Sequence, residues 1–113
     1  MTAKPSGKKV VQFRPQPSQI LDMVRGAAAD SANVKFGNHA FDRMEERGIT
    51  TLDALRVLRG GDIKGDIEPG ANSGEWKCKI TKPMKGSCEI GVVTIVMSNR
   101  RLFVKTVEWE DLK

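Results

Sequence analysis

The sequence has no tyrosine, only one histidine and only two cysteines among its 113 residues. With so few metal ligands, and with neither a CxxC nor an HxxxH spacing, the chain is a poor candidate for a zinc site, and we expect no metal. Because no secretory signal is recognisable, Cys78 and Cys88 are expected to be reduced thiols, although on neighbouring strands they could face each other. The aromatic residues of the predicted strands are Trp76, Phe103 and Trp109. We expect them in the core or at its rim, and not as platforms for base stacking.

Long hydrophobic runs are also missing. None approaches the roughly 18 residues of a membrane span, and the N-terminal residues carry lysines without the apolar stretch of a secretory signal. We therefore expect a cytoplasmic protein with no membrane partner. The chain has no phosphate-cradling GxxxxGKS/T loop, so nucleotide hydrolysis is not expected. Ser87 has no nucleophile-elbow context that would support a hydrolase triad, and no cofactor is predicted.

Acidic residues are the scarcer charge. Lys and Arg number 19 against 14 Asp and Glu, which gives a net charge of +5 and a pI near 9.5. A basic chain favours anionic partners, with nucleic acid first and a membrane surface or an acidic protein second. The imbalance is concentrated between Trp76 and Val107, where Glu89 is the only acid. The bases of that segment are Lys77, Lys79, Lys82, Lys85, Arg100, Arg101 and Lys105.

Some of these bases share a face of a predicted strand. Because side chains alternate along a strand, Lys77 and Lys79 lie on one face, and so do Arg101 and Lys105. Two such strands can form a groove for a phosphodiester backbone. We therefore assign nucleic-acid binding to these four residues and to Arg100. The alternative is a solvated outer face that its lysines keep soluble.

The first half of the chain predicts a basic extension followed by helices. Residues 1–17 carry four basic residues and three prolines and predict a flexible arm, in which residues 10–13 could add an edge strand. Residues 18–113 form a single domain. Apolar residues at helical spacing predict three helices, with Ser18, Asn38 and the pair Thr50-Thr51 as N-terminal caps. The predicted helices cover residues 18 to about 30, 39 to about 47, and 51 to about 59, and the NVKFGN segment is a short link.

The second half alternates between apolar and polar residues, as β-strands do. The segments DIKGDIEPG, GEWKCKITKP, CEIGVVTIVMSN and RRLFVKTVEWE predict an antiparallel meander of about four strands. The third segment is the most apolar and is expected to be central. Helices followed by an antiparallel meander predict an α+β fold, in which N-terminal helices cover one face of the sheet.

The single histidine belongs to a stripe on the second predicted helix. His39, Arg43 and Arg47 are spaced four residues apart, so they lie one above another beside the apolar side. Neighbouring cations are unfavourable unless an anion satisfies them, and a bound phosphate would do so. Near the positive end of the helix His39 favours its neutral form, which can accept a proton. The alternative is that the histidine packs or hydrogen-bonds locally, while the arginines pair with acids of the same helix.

The segment HAFDRMEERGIT carries a resemblance to a known family, together with TTLDALRVLRGG, GEWKCKI and GVVTIVMSNRRLFVKTVEW. The chain resembles a small, mostly uncharacterised bacterial domain family that is grouped with the BrnT and MqsR toxins in the RelE-like ribonuclease superfamily. The resemblance spans roughly residues 34–109. It implies helices on an antiparallel sheet and metal-independent RNA cleavage, often by the toxin of a toxin–antitoxin pair. RNA and a cognate antitoxin are the implied partners, and His39, Arg43 and Arg47 match the family's H-R-R positions.

Such a site would run a simple reaction on RNA. The 2′-hydroxyl attacks the adjacent phosphorus and leaves a 2′,3′-cyclic phosphate, while one group takes the proton and cations stabilise the phosphorane. Histidine ordinarily exchanges a proton near neutral pH. We therefore predict an endoribonuclease in which His39 is the base and Arg43 and Arg47, with Lys77, Lys79 or Arg101, hold the phosphate. The alternatives are a non-catalytic nucleic-acid-binding module and an accessory protein-interaction domain.

Overall fold

The computed structural model describes residues 14–84, 86 and 88–110. These residues form three α-helices, one 3-10 turn and a 5-stranded sheet. The helices are α1 (Pro17–Ala28), α2 (Asn38–Arg47) and α3 (Thr51–Gly60), and the 3-10 turn covers Ser31–Asn33. The strands are β1 (Val34–Phe36), β2 (Asp62–Pro69), β3 (Trp76–Pro83), β4 (Glu89–Val96) and β5 (Leu102–Trp109).

Local sequence explains the limits of α2 and α3. Gly48 ends α2 in the left-handed conformation, at φ 68°, which glycine adopts without steric cost. Thr50 caps α3 as expected, because its Oγ1 accepts a hydrogen bond from the Asp53 N–H at 3.0 Å and the Asp53 carboxylate accepts the Thr50 N–H at 3.1 Å. The predicted cap of α2 is wrong by one residue: Gly37 is the cap and Asn38 begins the helix.

The sheet has the strand order β1-β5-β4-β3-β2. Strands β2 to β5 form the predicted antiparallel meander, and β1 pairs in parallel with β5 from Val34 opposite Leu102 to Phe36 opposite Val104. The α+β fold is therefore confirmed, but the sheet has five strands instead of about four. The sequence missed β1 because three residues are too short for an alternating pattern to be distinguished from a link.

The core lies between the helices and one face of the sheet, which we call the inner face. Buried residues of α1 and α3, such as Ile20 and Leu58, pack in one cluster with inner-face residues such as Ile80, Val92 and Val104. The opposite, outer face carries the intervening residues of each strand. Both cysteines are free thiols. Cys78 lies on the inner face, and its burial raises the pKa of its thiol to about 11.

Arg14, the first described residue, already contacts the sheet. Arg14 Nη1 donates a hydrogen bond to the Ile67 carbonyl at 2.6 Å, and its guanidinium lies 5.7 Å from the centroid of the Trp76 ring. Helix α1 begins at Pro17, where the missing proline N–H costs no helical hydrogen bond. Gln16, and not the predicted Ser18, is the N-terminal cap of this helix. The rest of the predicted arm, including the possible strand over residues 10–13, lies outside the described residues.

Candidate functional site

Helix α2 carries His39 and Arg43 on a solvent-facing side. Arg43 Nε donates a hydrogen bond to His39 Nε2 at 3.3 Å, and Arg43 Nη1 lies 3.0 Å from Glu46 Oε1. His39 is exposed and Arg43 is half-buried. The spacing of four residues therefore brings the imidazole and the guanidinium together, as predicted, and one acid of the same helix pairs with the arginine.

Arg47 ends the predicted stripe in a different environment. Its Nη1 donates to the Val107 carbonyl at 3.3 Å, and its own carbonyl accepts the indole N–H of Trp109 at 2.9 Å. Strand β1 pairs with β5 only as far as Val104, so α2 provides polar partners for the next stretch of β5. Arg47 thus fastens the last turn of α2 to the sheet.

Lys77 and Lys79 do not share a surface with this stripe. Trp109 reaches the last turn of α2, whereas its neighbour Glu108 reaches Lys79. Because successive strand residues point to opposite faces, α2 lies on the inner side of the sheet and Lys79 on the outer side. Lys77 shares the outer face with Lys79, two residues along β3. The prediction that Lys77 or Lys79 holds the phosphate together with Arg43 is therefore wrong.

The outer face holds an ion cluster centred on Lys79. Lys79 Nζ lies 2.8 Å from Glu108 Oε2 and 2.9 Å from Glu110 Oε2, and Lys64 Nζ lies 3.1 Å from Glu110 Oε1. The Glu110 side chain is only 5% exposed and rests on Gly91, where any Cβ would collide with Oε2. A side chain at this position of β4 would therefore displace the end of the Glu110 side chain from its present place in the cluster.

The pairing changes the acid–base behaviour of the cluster. Burial opposes ionisation of Glu110, but hydrogen bonds from Lys79 and Lys64 outweigh it and lower the pKa of the Glu110 carboxyl. Burial likewise disfavours the Lys79 ammonium, yet hydrogen bonds to Glu108 and Glu110 outweigh it and raise the pKa of Lys79. Both groups are therefore held charged, and the positive charge of Lys79 is neutralised within the protein.

Lys77 is also paired, with its Nζ 3.3 Å from Glu68 Oε1. The acids that neutralise the two lysines come from outside the acid-poor segment of residues 76–107: Glu68 from β2, and Glu108 and Glu110 from the end of β5 and beyond. The outer face of β3 is thus a surface of ion pairs, and the hypothesis that it forms a phosphate groove loses its support.

The other three residues that were predicted to bind nucleic acid, Arg100, Arg101 and Lys105, have exposed side chains. Arg100 and Arg101 lie in the turn between β4 and β5, where Asn99 Oδ1 accepts the Arg101 N–H at 3.0 Å. Lys105 lies on β5 beside an irregularity in its pairing with β4. All three are exposed, and none forms an ion pair within residues 14–84, 86 and 88–110.

A groove of about 360 Å³ lies next to this turn, and sequence reasoning missed it. Arg14, Met23 and Trp76 line it together with Arg100. No local pattern marks Arg14, because it precedes the first helix in a segment whose composition predicts disorder. Trp76 was expected at the rim of the core, and its half-buried ring agrees with that. Only the packing of α1 against the β4–β5 turn brings these side chains together.

Among the described residues, no group of three or more His, Cys, Asp or Glu side chains is placed to hold a metal ion. Within the same residues, no helix is both long enough and apolar enough to cross a membrane. Comparisons with protein-family models, with curated proteins and with solved structures find no match.

Proposed function

We propose that this protein is a metal-independent endoribonuclease of the toxin–antitoxin type, with His39 and Arg43 as its reacting pair. The observation that supports this is the hydrogen bond of 3.3 Å from Arg43 Nε to His39 Nε2 on an exposed side of α2. Since the guanidinium donates, Nε2 is an acceptor, which is the form of an imidazole that can take a proton. An accessible base beside a cation is what attack of a 2′-hydroxyl on phosphorus requires.

The proposed reaction begins when Arg43 exchanges Glu46 for a substrate phosphate. The Arg43–Glu46 pair is exposed, and exposed ion pairs contribute little free energy, so a phosphate can replace the carboxylate. The same movement frees His39 Nε2 to take the proton of the 2′-hydroxyl. The 2′-oxygen bonds to phosphorus, the bond to the 5′-oxygen breaks, and solvent protonates the leaving oxygen. The products carry a 2′,3′-cyclic phosphate and a 5′-hydroxyl.

The other predicted residues take different roles in this proposal. Arg47 is a positioning residue, because its guanidinium and its carbonyl are both bonded to β5. Arg100, Arg101 and Lys105 attract the RNA backbone through exposed charge. A cognate antitoxin would block cleavage of cytoplasmic RNA by covering the His39–Arg43 pair. Lys77 and Lys79 take no part, since carboxylates already neutralise them.

The test is cleavage of an unstructured single-stranded RNA in the presence of EDTA, with fragment ends identified by mass spectrometry. The wild-type protein should produce 2′,3′-cyclic phosphates. His39→Ala should reduce the rate by roughly 10²–10⁴-fold, which is the usual contribution of a general base. His39→Gln should lose as much, because its amide can accept the Arg43 hydrogen bond but cannot carry the proton.

A matched control is Asp42→Ala, which changes an exposed residue of the same helix and should leave the rate unchanged. Absence of cyclic ends with the wild-type protein, or equal rates for wild type and His39→Ala, would reject the proposal.

A second candidate function is RNA binding without cleavage. It is favoured by Arg100 and Arg101, whose charges are exposed and lack ion pairs within the described residues, in a turn that contains neither member of the reacting pair. RNA binding that weakens steeply with salt, without any fragment in the cleavage assay, would identify this function instead.

A further inference from the structure

The groove beside the β4–β5 turn combines apolar walls with positive charge. Its volume of about 360 Å³ falls in the range of small-molecule sites. Trp76, Met23 and Met97 provide apolar surface, and Arg14 and Arg100 provide two guanidinium groups. Among the described residues, no acidic side chain lines it. The groove therefore suits a ligand that joins a flat apolar ring to an anion.

We propose that this groove binds a nucleoside phosphate, with the base against Met23 and the Arg14 guanidinium that lies over Trp76, and with the phosphate on Arg100. The site contains neither His39 nor Arg43, so it goes beyond the proposed cleavage and does not depend on it. The same chemistry is offered by a free nucleotide and by one nucleotide of a single strand. Stacking on a guanidinium plane or an aromatic ring, with a second guanidinium on the phosphate, is the usual means of holding either.

Arg14 makes the apolar wall rigid before any ligand arrives. Its guanidinium covers the Trp76 ring at 5.7 Å, and its Nη1 is held by the Ile67 carbonyl at 2.6 Å. A guanidinium has five N–H donors, so this one bond leaves others for a phosphate oxygen. A wall that is already ordered loses little conformational entropy on binding, which favours affinity.

Arg100 stands at a backbone position where glycine would be the ordinary choice. Its φ is 70°, and among the described non-glycine residues it alone has a positive φ. Arginine in this conformation costs free energy that glycine would avoid, so the side chain, not the backbone, explains the residue. That side chain is exposed and forms no ion pair within the described residues.

A neighbouring groove of about 480 Å³ shares Arg100 but is less suited to a phosphate. It is lined by Asp22 and Arg101 and has no aromatic side chain among its described lining residues. A carboxylate on the wall repels an anion and can satisfy an arginine without any ligand. The contrast assigns the ligand to the groove that contains Trp76.

The test measures binding of adenosine 5′-monophosphate, adenosine and inorganic phosphate to the full chain by calorimetry. The nucleotide should bind at least about tenfold more tightly than either fragment, because only it uses both the ring and the phosphate site. Arg100→Gly should weaken nucleotide binding about tenfold without loss of stability, since glycine relieves the positive φ while it removes the guanidinium.

Lys77→Ala is the matched control, because it removes a cation that is already paired with Glu68 and lies outside the groove, and it should change the affinity less than about twofold. A short DNA strand tests the other source of the ligand, since it has no 2′-hydroxyl to react. If the strand binds with the same dependence on Arg100 while free nucleotide does not, the site takes a nucleotide of a strand.

Three results would overturn the proposal: no binding of nucleotide or strand at millimolar concentration, equal affinity for inorganic phosphate and nucleotide, or equal losses in Arg100→Gly and Lys77→Ala. None of these measurements involves His39, so a failure here leaves the cleavage proposal standing. If the protein does not cleave RNA, the proposal of nucleotide binding in the groove is likewise unaffected.

Discussion

Lys79 and Arg100 come from the same acid-poor stretch of sequence, yet the fold treats their charges in opposite ways. Lys79 is 28% exposed and contacts two carboxylates at 2.8 and 2.9 Å. Arg100 is exposed at a turn and forms no ion pair among the described residues. A local excess of bases therefore does not by itself make a basic surface. A charge remains available only where the neighbouring strands and helices bring no acid to it.

Helix α2 offers a similar comparison between two of its own arginines, Arg43 and Arg47. Arg43 is held by His39 and Glu46 at the solvent face, whereas Arg47 is bonded to the backbone of β5. Both arginines lie on the predicted stripe. Their roles differ because β5 passes beside the end of the helix and offers a carbonyl there.

The largest effect is expected from Glu110→Ala. This change leaves Lys79 partly buried without one of its two partners and removes the carboxylate of Lys64, so we expect a loss of about 2–3 kcal/mol in the free energy of unfolding. Urea denaturation at neutral pH measures it. An unchanged stability would mean that Lys79 is not held by this cluster, and the contrast with Arg100 would fail.

Glu68→Ala is the control for that experiment. It removes the partner of Lys77, but the Glu68 side chain is 61% exposed, so the free energy of unfolding should change by less than about 0.5 kcal/mol.

The pH dependence of stability should show the same cluster. The lowered pKa of Glu110 means that its contribution is present above pH 4.5, its ordinary value, and is lost as the pH falls through the folded-state value. The raised pKa of Lys79 means that its contribution is present below pH 10.5 and is lost only at higher pH. Unfolding free energies from neutral pH down to about pH 3 should therefore fall more steeply for wild type than for Glu110→Gln. Parallel curves for the two proteins would contradict this.

Arg47→Ala and Arg43→Ala test the comparison on α2. Removal of Arg47 breaks a hydrogen bond to β5 and should cost about 1 kcal/mol. Removal of Arg43 breaks exposed contacts and should cost less than about 0.5 kcal/mol, while it abolishes most of the proposed cleavage. Thermal unfolding and the RNA assay, applied to both variants, separate the two roles. Equal losses of stability would show that both arginines are structural.

The smallest expected effect is on the salt dependence of RNA binding. Arg101→Ala removes a cation that forms no ion pair among the described residues and should reduce the slope of log affinity against log salt by about one. Lys77→Ala should change the slope much less, because Glu68 already neutralises this lysine. Fluorescence anisotropy with a 2′-O-methylated single strand, which cannot be cleaved by 2′-attack, measures both. A larger change for Lys77→Ala would show that the outer face of the sheet takes part in RNA binding.

Much of the fold follows from patterns that are local in the sequence. Thr50 with Asp53 sets the start of α3, and Gly48 sets the end of α2. Alternation along GEWKCKI places Cys78 and Ile80 inward and the lysines outward, as the structure has them. The contact between His39 and Arg43 on α2 could also be predicted, because residues four apart on a helix are neighbours.

The side-chain contacts that the sequence did not predict share one cause, which is distance along the chain. Glu110 neutralises Lys79 from 31 residues away, Arg14 reaches Ile67 from 53 residues away, and Arg47 reaches Val107 from 60 residues away. No periodicity connects residues so far apart. Each contact depends on which strands become neighbours and on the direction in which they run.

The sequence by itself determined the α+β class, the three helices, the four longer strands and the facing of the side chains along β3, because hydrophobic period and capping act within a few residues. Only the tertiary structure decided which cations are neutralised and which remain exposed. It paired the lysines on the outer face of β3 with carboxylates from β2 and the end of β5, and it left Arg100 beside a groove that no acid of the described residues lines. The physical reason is that the interaction between charges depends on separation in space and on burial, neither of which spacing along the chain specifies.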